Sequence, residues 1–142
     1  MILVDANLLV YASASDFDDH AGAKTWLQER LSARQKGGLP WLSLLTYLRV
    51  ITHPSIFRRP LLMRDAVRQV HTWLESPVAW VPEATHGHLE ILFELLAVPA
   101  VHGDLVPDAH LAALAIEHGL TLMSHDSNFA RFPSLRWEDP LR

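Results

Sequence analysis

Hydrophobic positions along this chain alternate between short unbroken runs and repeats spaced three and four apart, the marks of buried strands and one-sided helices. Residues 1–4 form such a run, which breaks at Asp5. This predicts a buried parallel strand delivering Asp5 to its carboxyl end. A helical stretch follows. Over residues 20–34 the positions Ala23, Trp26, Leu27 and Leu31 repeat at helical spacing, and Lys36-Gly37-Gly38 reads as the stop. Residues 39–42 are the predicted second strand. Residues 43–53 read as a helix with Leu44, Leu45, Leu48 and Ile51 inward, closed by Pro54, because the residue before proline avoids helical geometry. Residues 63–74 repeat the pattern through Ala66, Val67, Val70 and Leu74, and 78–81 are the third strand candidate. Helices over 85–97 and 107–118, strand runs over 120–123 and 135–137, and Gly119 as a helix end complete the reading. Short strands alternating with helices predict an α/β domain with a mainly parallel sheet of about five short strands, and no internal repeat is present.

Composition narrows the picture. A chain of 142 residues with 49% hydrophobic and 20% charged content forms one compact domain rather than a disordered segment. The absence of cysteine excludes a disulfide scaffold and a thiolate metal site. With no basic leader and no apolar run of about 20 residues, the expected location is the cytoplasm, away from membranes. The net charge of −4 conceals an asymmetry: nine of the twelve Lys and Arg lie between Lys24 and Arg68, where Glu29 and Asp65 are the only acids. A basic region on an acidic protein is either a solvated face or a groove for phosphates, with Arg49, Arg58 and Arg59 the candidates to receive them.

In parallel α/β sheets, ligands bind beyond the carboxyl ends of the strands. There the sequence places Asp5 with Asn7, and Asp126 with Ser124 and Asn128. A third acid, Asp108, heads the stripe Leu111, Ala112, Ala115 and Ile116 on one helix face, where an unpaired carboxylate is costly. Three converging carboxylates raise one another's pKa unless a hard divalent cation, Mg2+ or Mn2+, lies among them. Such ions serve phosphodiester hydrolysis by activating water and neutralising charge on phosphate. Each acid also has a purely structural reading. Asp5 could cap a helix starting at Ala6, Asp104 or Asp108 could cap the helix around Pro107, and Asp126 could form an Asx turn. The nine histidines offer no zinc pattern, since His86 and His88 are two apart and no His-Glu-x-x-His occurs, and His125 reads as an exposed loop residue.

Residues 1–7 (MILVDAN), residues 108–115 (DAHLAALA) followed by His118-Gly119, and residues 124–129 (SHDSNF) together resemble the PIN-domain ribonucleases, and among them the VapC toxins of bacterial toxin–antitoxin pairs. Residues 48–54 (LRVITHP) resemble the mycobacterial-type branch. The resemblance spans the chain. It implies a three-layer α/β/α sandwich, a homodimer, a Mg2+- or Mn2+-dependent endoribonuclease and a VapB-type antitoxin that inhibits it. Carried over position by position, it makes Asp5, Asp108 and Asp126 the catalytic metal ligands. Asn7, Ser124 and Asn128 become supporting residues. Tyr47 stands where the family usually has a glutamate, and Asn128 where an aspartate is common, so Asp104 is a candidate replacement ligand. Two rivals remain in view: a haloacid-dehalogenase-like phosphatase, which would want an aspartate at Asn7, and a non-catalytic PIN module, which Tyr47 would favour. An antitoxin is expected against Trp26 and Trp41.

Overall fold

The structure, a computed structural model, describes all 142 residues. The run at the N-terminus is β1 (Ile2–Val4), followed by α1 (Ala6–Ser13) and α2 (His20–Leu31). Next come β2 (Gly37–Gly38), α3 (Trp41–Ile51), α4 (Met63–Leu74) and β3 (Ala79–Trp80). The C-terminal half holds α5 (His88–Leu96), α6 (Val106–Glu117), β4 (Thr121–Met123) and β5 (Trp137–Glu138). Two 3-10 turns, Gly103–Leu105 and Ser127–Arg131, precede α6 and follow β4.

All strand pairs are parallel, in the order β3-β2-β1-β4-β5. Side chains alternate across the sheet, as strand geometry requires. Ile2, Val4 and Met123 pack on one face with residues of α1 to α4, while Leu3 and Leu122 pack on the other with α5 and α6. The result is the three-layer α/β/α sandwich. Helix α6 is buried nearly all round, which its small Ala109, Ala112, Ala113 and Ala115 allow by letting it sit close to the sheet. Beside it, His88 on α5 places Nδ1 at 3.1 Å from both Glu117 oxygens and Nε2 at 3.0 Å from His110 Nδ1, a polar clasp between α5 and α6. His86, its neighbour in the sequence, is exposed and takes no part.

The second strand departs from expectation. It is Gly37–Gly38 rather than residues 39–42, and Trp41 already belongs to α3. Pro40 explains the end of the strand, since it lacks the N–H a ladder needs and instead occupies the N-cap of α3. The glycines serve a close approach. A Cβ on Gly38 would lie 2.7 Å from the Pro82 ring and 3.2 Å from the Ile2 carbonyl oxygen, so any side chain collides with a stiff ring and a backbone. Gly38→Ala is expected to destabilise the domain by about 2 kcal/mol, as overpacking does, visible as a lower urea midpoint. An unchanged midpoint would mean that Pro82 gives way at no cost.

The sheet reverses its winding direction at β1, where one connection leads to β2 and a later one brings β4 to the opposite edge. At such a switch point the connections diverge and leave a crevice at the carboxyl ends of the two central strands. Those ends carry Asp5 and Asp126.

Candidate active site

Asp5 is fixed by the backbone on both sides. Its N–H donates to Met123 O at 3.0 Å across the β1–β4 pair, and its side chain then caps α1, Oδ1 accepting the Ala6 N–H at 2.7 Å. The other oxygen, Oδ2, accepts the Ser124 hydroxyl at 2.7 Å. Ser124 is fully buried and serves as the hub. While donating to Asp5, its Oγ accepts Asn7 Nδ2 at 3.1 Å and the Asp126 N–H at 3.0 Å, which fills the one donor and two acceptor positions of a hydroxyl. Asn7 Oδ1 takes the His125 N–H at 3.4 Å, and Asp126 Oδ1 takes the Asn128 N–H at 2.9 Å, forming the Asx turn. The capping readings of Asp5 and Asp126 therefore hold together with their convergence, because each cap uses only one carboxylate oxygen.

Asp108 reaches the cluster from α6. It is no cap: the N-cap of α6 is Leu105 without a side-chain bond, and neither Asp104 nor Asp108 accepts a backbone N–H there. Burial first, and then the charges of Asp5 and Asp126, push the Asp108 carboxyl up to about 6, with Arg131 partly offsetting them. Burial also pushes Asp5 up, against the hydrogen bonds from Ser124 and Ala6 that hold it down, and Asp126 adds repulsion. Asp108 thus senses both other acids, and Asp5 senses Asp126. Asp104 sits exposed in the 3-10 turn, and the carboxylates acting on Asp108 are those of Asp5 and Asp126.

A cleft of ≈ 380 Å³ opens over Asp5 and Asp108, with Ser43, Thr46, Arg49 and Leu111 among its walls. Ser43 anchors α3 to the strand end by donating to Val4 O at 2.7 Å. Arg49 brings the basic region to the carboxylates. Arg58 and Arg59 are exposed on the loop after α3 and do not line this cleft. Tyr47 does not line it either. It is fully buried, its hydroxyl donating to Ser13 Oγ at 3.1 Å and its ring packing edge-on against Trp73 at 4.8 Å.

Sequence reasoning missed several neighbours. Ser43 and Thr46 carry no motif of their own, and only the rotation of α3 reveals them. Arg131 donates through Nε to Asn128 O at 2.9 Å and through Nη2 to Asn128 Oδ1 at 3.0 Å, and its spacing of three from Asn128 was the available signal. His125 is not the exposed loop residue expected. It is partly buried, with Nδ1 2.8 Å from Asp139 and Nε2 3.6 Å from Asp19.

The donor set suits a hard cation. It consists of carboxylate oxygens at the end of a sheet, with Asp5 and Asp108 each raised by burial and by neighbouring carboxylates, a penalty that a cation relieves. No three acidic or histidine side chains form a closed coordination set.

The PIN domain family model matches residues 2–135. Ribonuclease VapC37 of Mycobacterium tuberculosis is 40% identical over 140 residues, covering 99% of this chain and 97% of that protein. Ribonuclease VapC33 of the same species is 37% identical over 142 residues, covering 100% and 99%. Among solved structures, the VapBC-1 complex of nontypeable Haemophilus influenzae superposes with a TM-score of 0.70 at 15% identity, each chain covered in full. The fold, the acids gathered at its switch point and these full-length relatives agree, and the chain belongs to the PIN-domain family, in its VapC branch.

Proposed function

We propose that this protein is the toxin of a VapBC-type pair, a divalent-metal-dependent endoribonuclease neutralised by a VapB-type antitoxin. The observation that carries the reading is the gathering of Asp5, Asp108 and Asp126 at the β1–β4 switch point, where Asp5 shares Ser124 with Asp126 and a cleft with Asp108. Full-length similarity to proteins named ribonuclease VapC supports it. Asp5, Asp108 and Asp126 hold the cation; Asn7 and Ser124 hold Asp5 and Asp126 in place. When bound, Mg2+ or Mn2+ supplies charge neutralisation at the phosphate and activation of the attacking water. Arg49 receives the RNA backbone at the cleft, and Arg58 and Arg59 extend the basic track along it. No ion pair engages any of the three.

Tyr47 no longer argues for a non-catalytic module, because its side chain lies in the core and leaves the cleft untouched. The antitoxin is assigned to the exposed apolar face of α3, where Trp41 and Leu45, the latter outward rather than inward as its spacing suggested, lie one turn apart and are 50% and 57% exposed. Trp26 is partly buried against the core and offers less. A homodimer follows the family pattern. No helix of the protein is long and apolar enough to cross a membrane.

The test is a pulse of expression followed by sequencing of RNA ends, then cleavage of an oligonucleotide spanning the mapped position with Mn2+ or with EDTA. Cleavage that needs the metal, and salt dependence of binding that flattens by about one phosphate contact in Arg49→Ala, are the expected results. No new RNA ends, or cleavage indifferent to EDTA, would overturn the reading.

A further inference from the structure

We infer that Arg131 contacts the substrate phosphate from the side of the carboxylate cluster opposite α3, and that Asn128 keeps its charge free to do so. The inference rests on the ribonuclease reading above. The guanidinium is held at three points: Nε to Asn128 O at 2.9 Å, Nη2 to Asn128 Oδ1 at 3.0 Å and Nη1 to Ala100 O at 3.5 Å. All three acceptors are neutral, and no carboxylate lies within ion-pair distance of it. The charge is therefore fixed in place but not neutralised. Of the five N–H groups of a guanidinium, two remain to be given to a ligand.

Location supports a ligand role. The 3-10 turn that ends in Arg131 starts directly after Asp126, whose Oδ1 accepts the Asn128 N–H at 2.9 Å, so the residue that holds the guanidinium is itself bonded to the cluster. Phosphate approaching three carboxylates meets repulsion, and a rigid planar cation with free donors counters it better than a mobile lysine would. Ala100, which supplies one anchoring carbonyl, has φ 74, a left-handed conformation that costs an alanine about 1 kcal/mol or more.

The choice of asparagine at 128 separates this role from that of a turn clasp. A clasp would be stronger with aspartate, whose carboxylate makes charge-assisted bonds to the same nitrogens. Aspartate would also cancel the charge. Asn128 holds the guanidinium as firmly as a neutral acceptor can and leaves it positive.

Asn128→Asp tests the point, since it is isosteric and Asn128 Nδ2 makes no hydrogen bond that the change would break. With the mapped RNA oligonucleotide and saturating Mn2+, kcat is expected to fall about ten- to a hundred-fold, while Mn2+ binds as tightly as before or tighter. Arg131→Gln should match it, and Arg131→Lys should fall between. In EDTA, where no cleavage runs, the salt slope of RNA binding should decrease by about one phosphate contact in Asn128→Asp. If Asn128→Asp cleaves as fast as the parent or faster, with an unchanged salt slope, position 128 is a metal-ligand position short of a charge and Arg131 only a clasp. A parent that cleaves no RNA would instead overturn the ribonuclease reading, on which this inference depends.

Discussion

Asp108→Asn is expected to abolish RNA cleavage and at the same time to make the metal-free protein more stable at neutral pH. The loss of activity, on the order of 10³-fold, follows from removing a carboxylate from the cation's oxygen set while preserving its shape. The gain in stability follows from linkage. Asp108 is raised in the folded protein to about 6, above its ordinary value of 3.8, first by burial and then by Asp5 and Asp126. A group raised on folding contributes its stability while protonated, below the unfolded value, and loses that contribution as pH climbs through the folded value. At pH 7 the ionised carboxylate therefore works against the fold. Because the side chain is only half-buried, solvent screening leaves about a third of the nominal cost, about 1 kcal/mol, or roughly 3 °C in Tm. The difference in Tm between variant and parent should be near zero below pH 4 and grow up to pH 7. Adding Mn2+ should reverse the order, stabilising the parent and not the variant. Equal melting at pH 7 without metal would remove Asp108 from the repelling cluster.

The elements that sequence reading located best were those governed by local rules. Residues 63–74 match α4 because apolar positions at helical spacing run through them, and Asp5 was found at a strand end because the run before it is uninterrupted. The second strand was misplaced for a tertiary reason. Glycine disfavours strands, and only the approach of Pro82 explains why Gly38 occupies one. The site shows the same division. Asp5, Asp108, Asp126, Asn7 and Ser124 were legible from motif and spacing, and the hub role of Ser124 was not, since three partners from separate segments define it. Thr46, Arg131 and the His125–Asp139 pair depend on helix rotation and on how the C-terminal segment returns to the sheet.

Helix rotation also decides what happens at Tyr47, where Tyr47→Glu is expected to unfold the protein rather than complete its metal site. The family resemblance sets a glutamate at this position, which invites the substitution as a repair. The structure turns the side chain away from the cleft into the core beneath α1 and α4, fully buried, with Ser13 Oγ the sole polar partner and Trp73 against its ring. A glutamate there would lose an aromatic pair worth about 1 kcal/mol and bury a charge without a counter-ion, a penalty of several kcal/mol. The sum, about 4 kcal/mol or more, rivals the whole stability of an ordinary domain. Circular dichroism and a urea melt should show loss of cooperative unfolding, or insoluble protein. Tyr47→Phe is the control: it gives up one hydrogen bond, costs about 1 kcal/mol and keeps the fold. Thr46 is one of the α3 residues that line the cleft over Asp5 and Asp108 and is only partly buried, so Thr46→Glu should fold and bind Mn2+ more tightly than the parent. A folded Tyr47→Glu protein with tightened Mn2+ binding, beside a Thr46→Glu that gains nothing, would rotate α3 by one residue relative to the arrangement described.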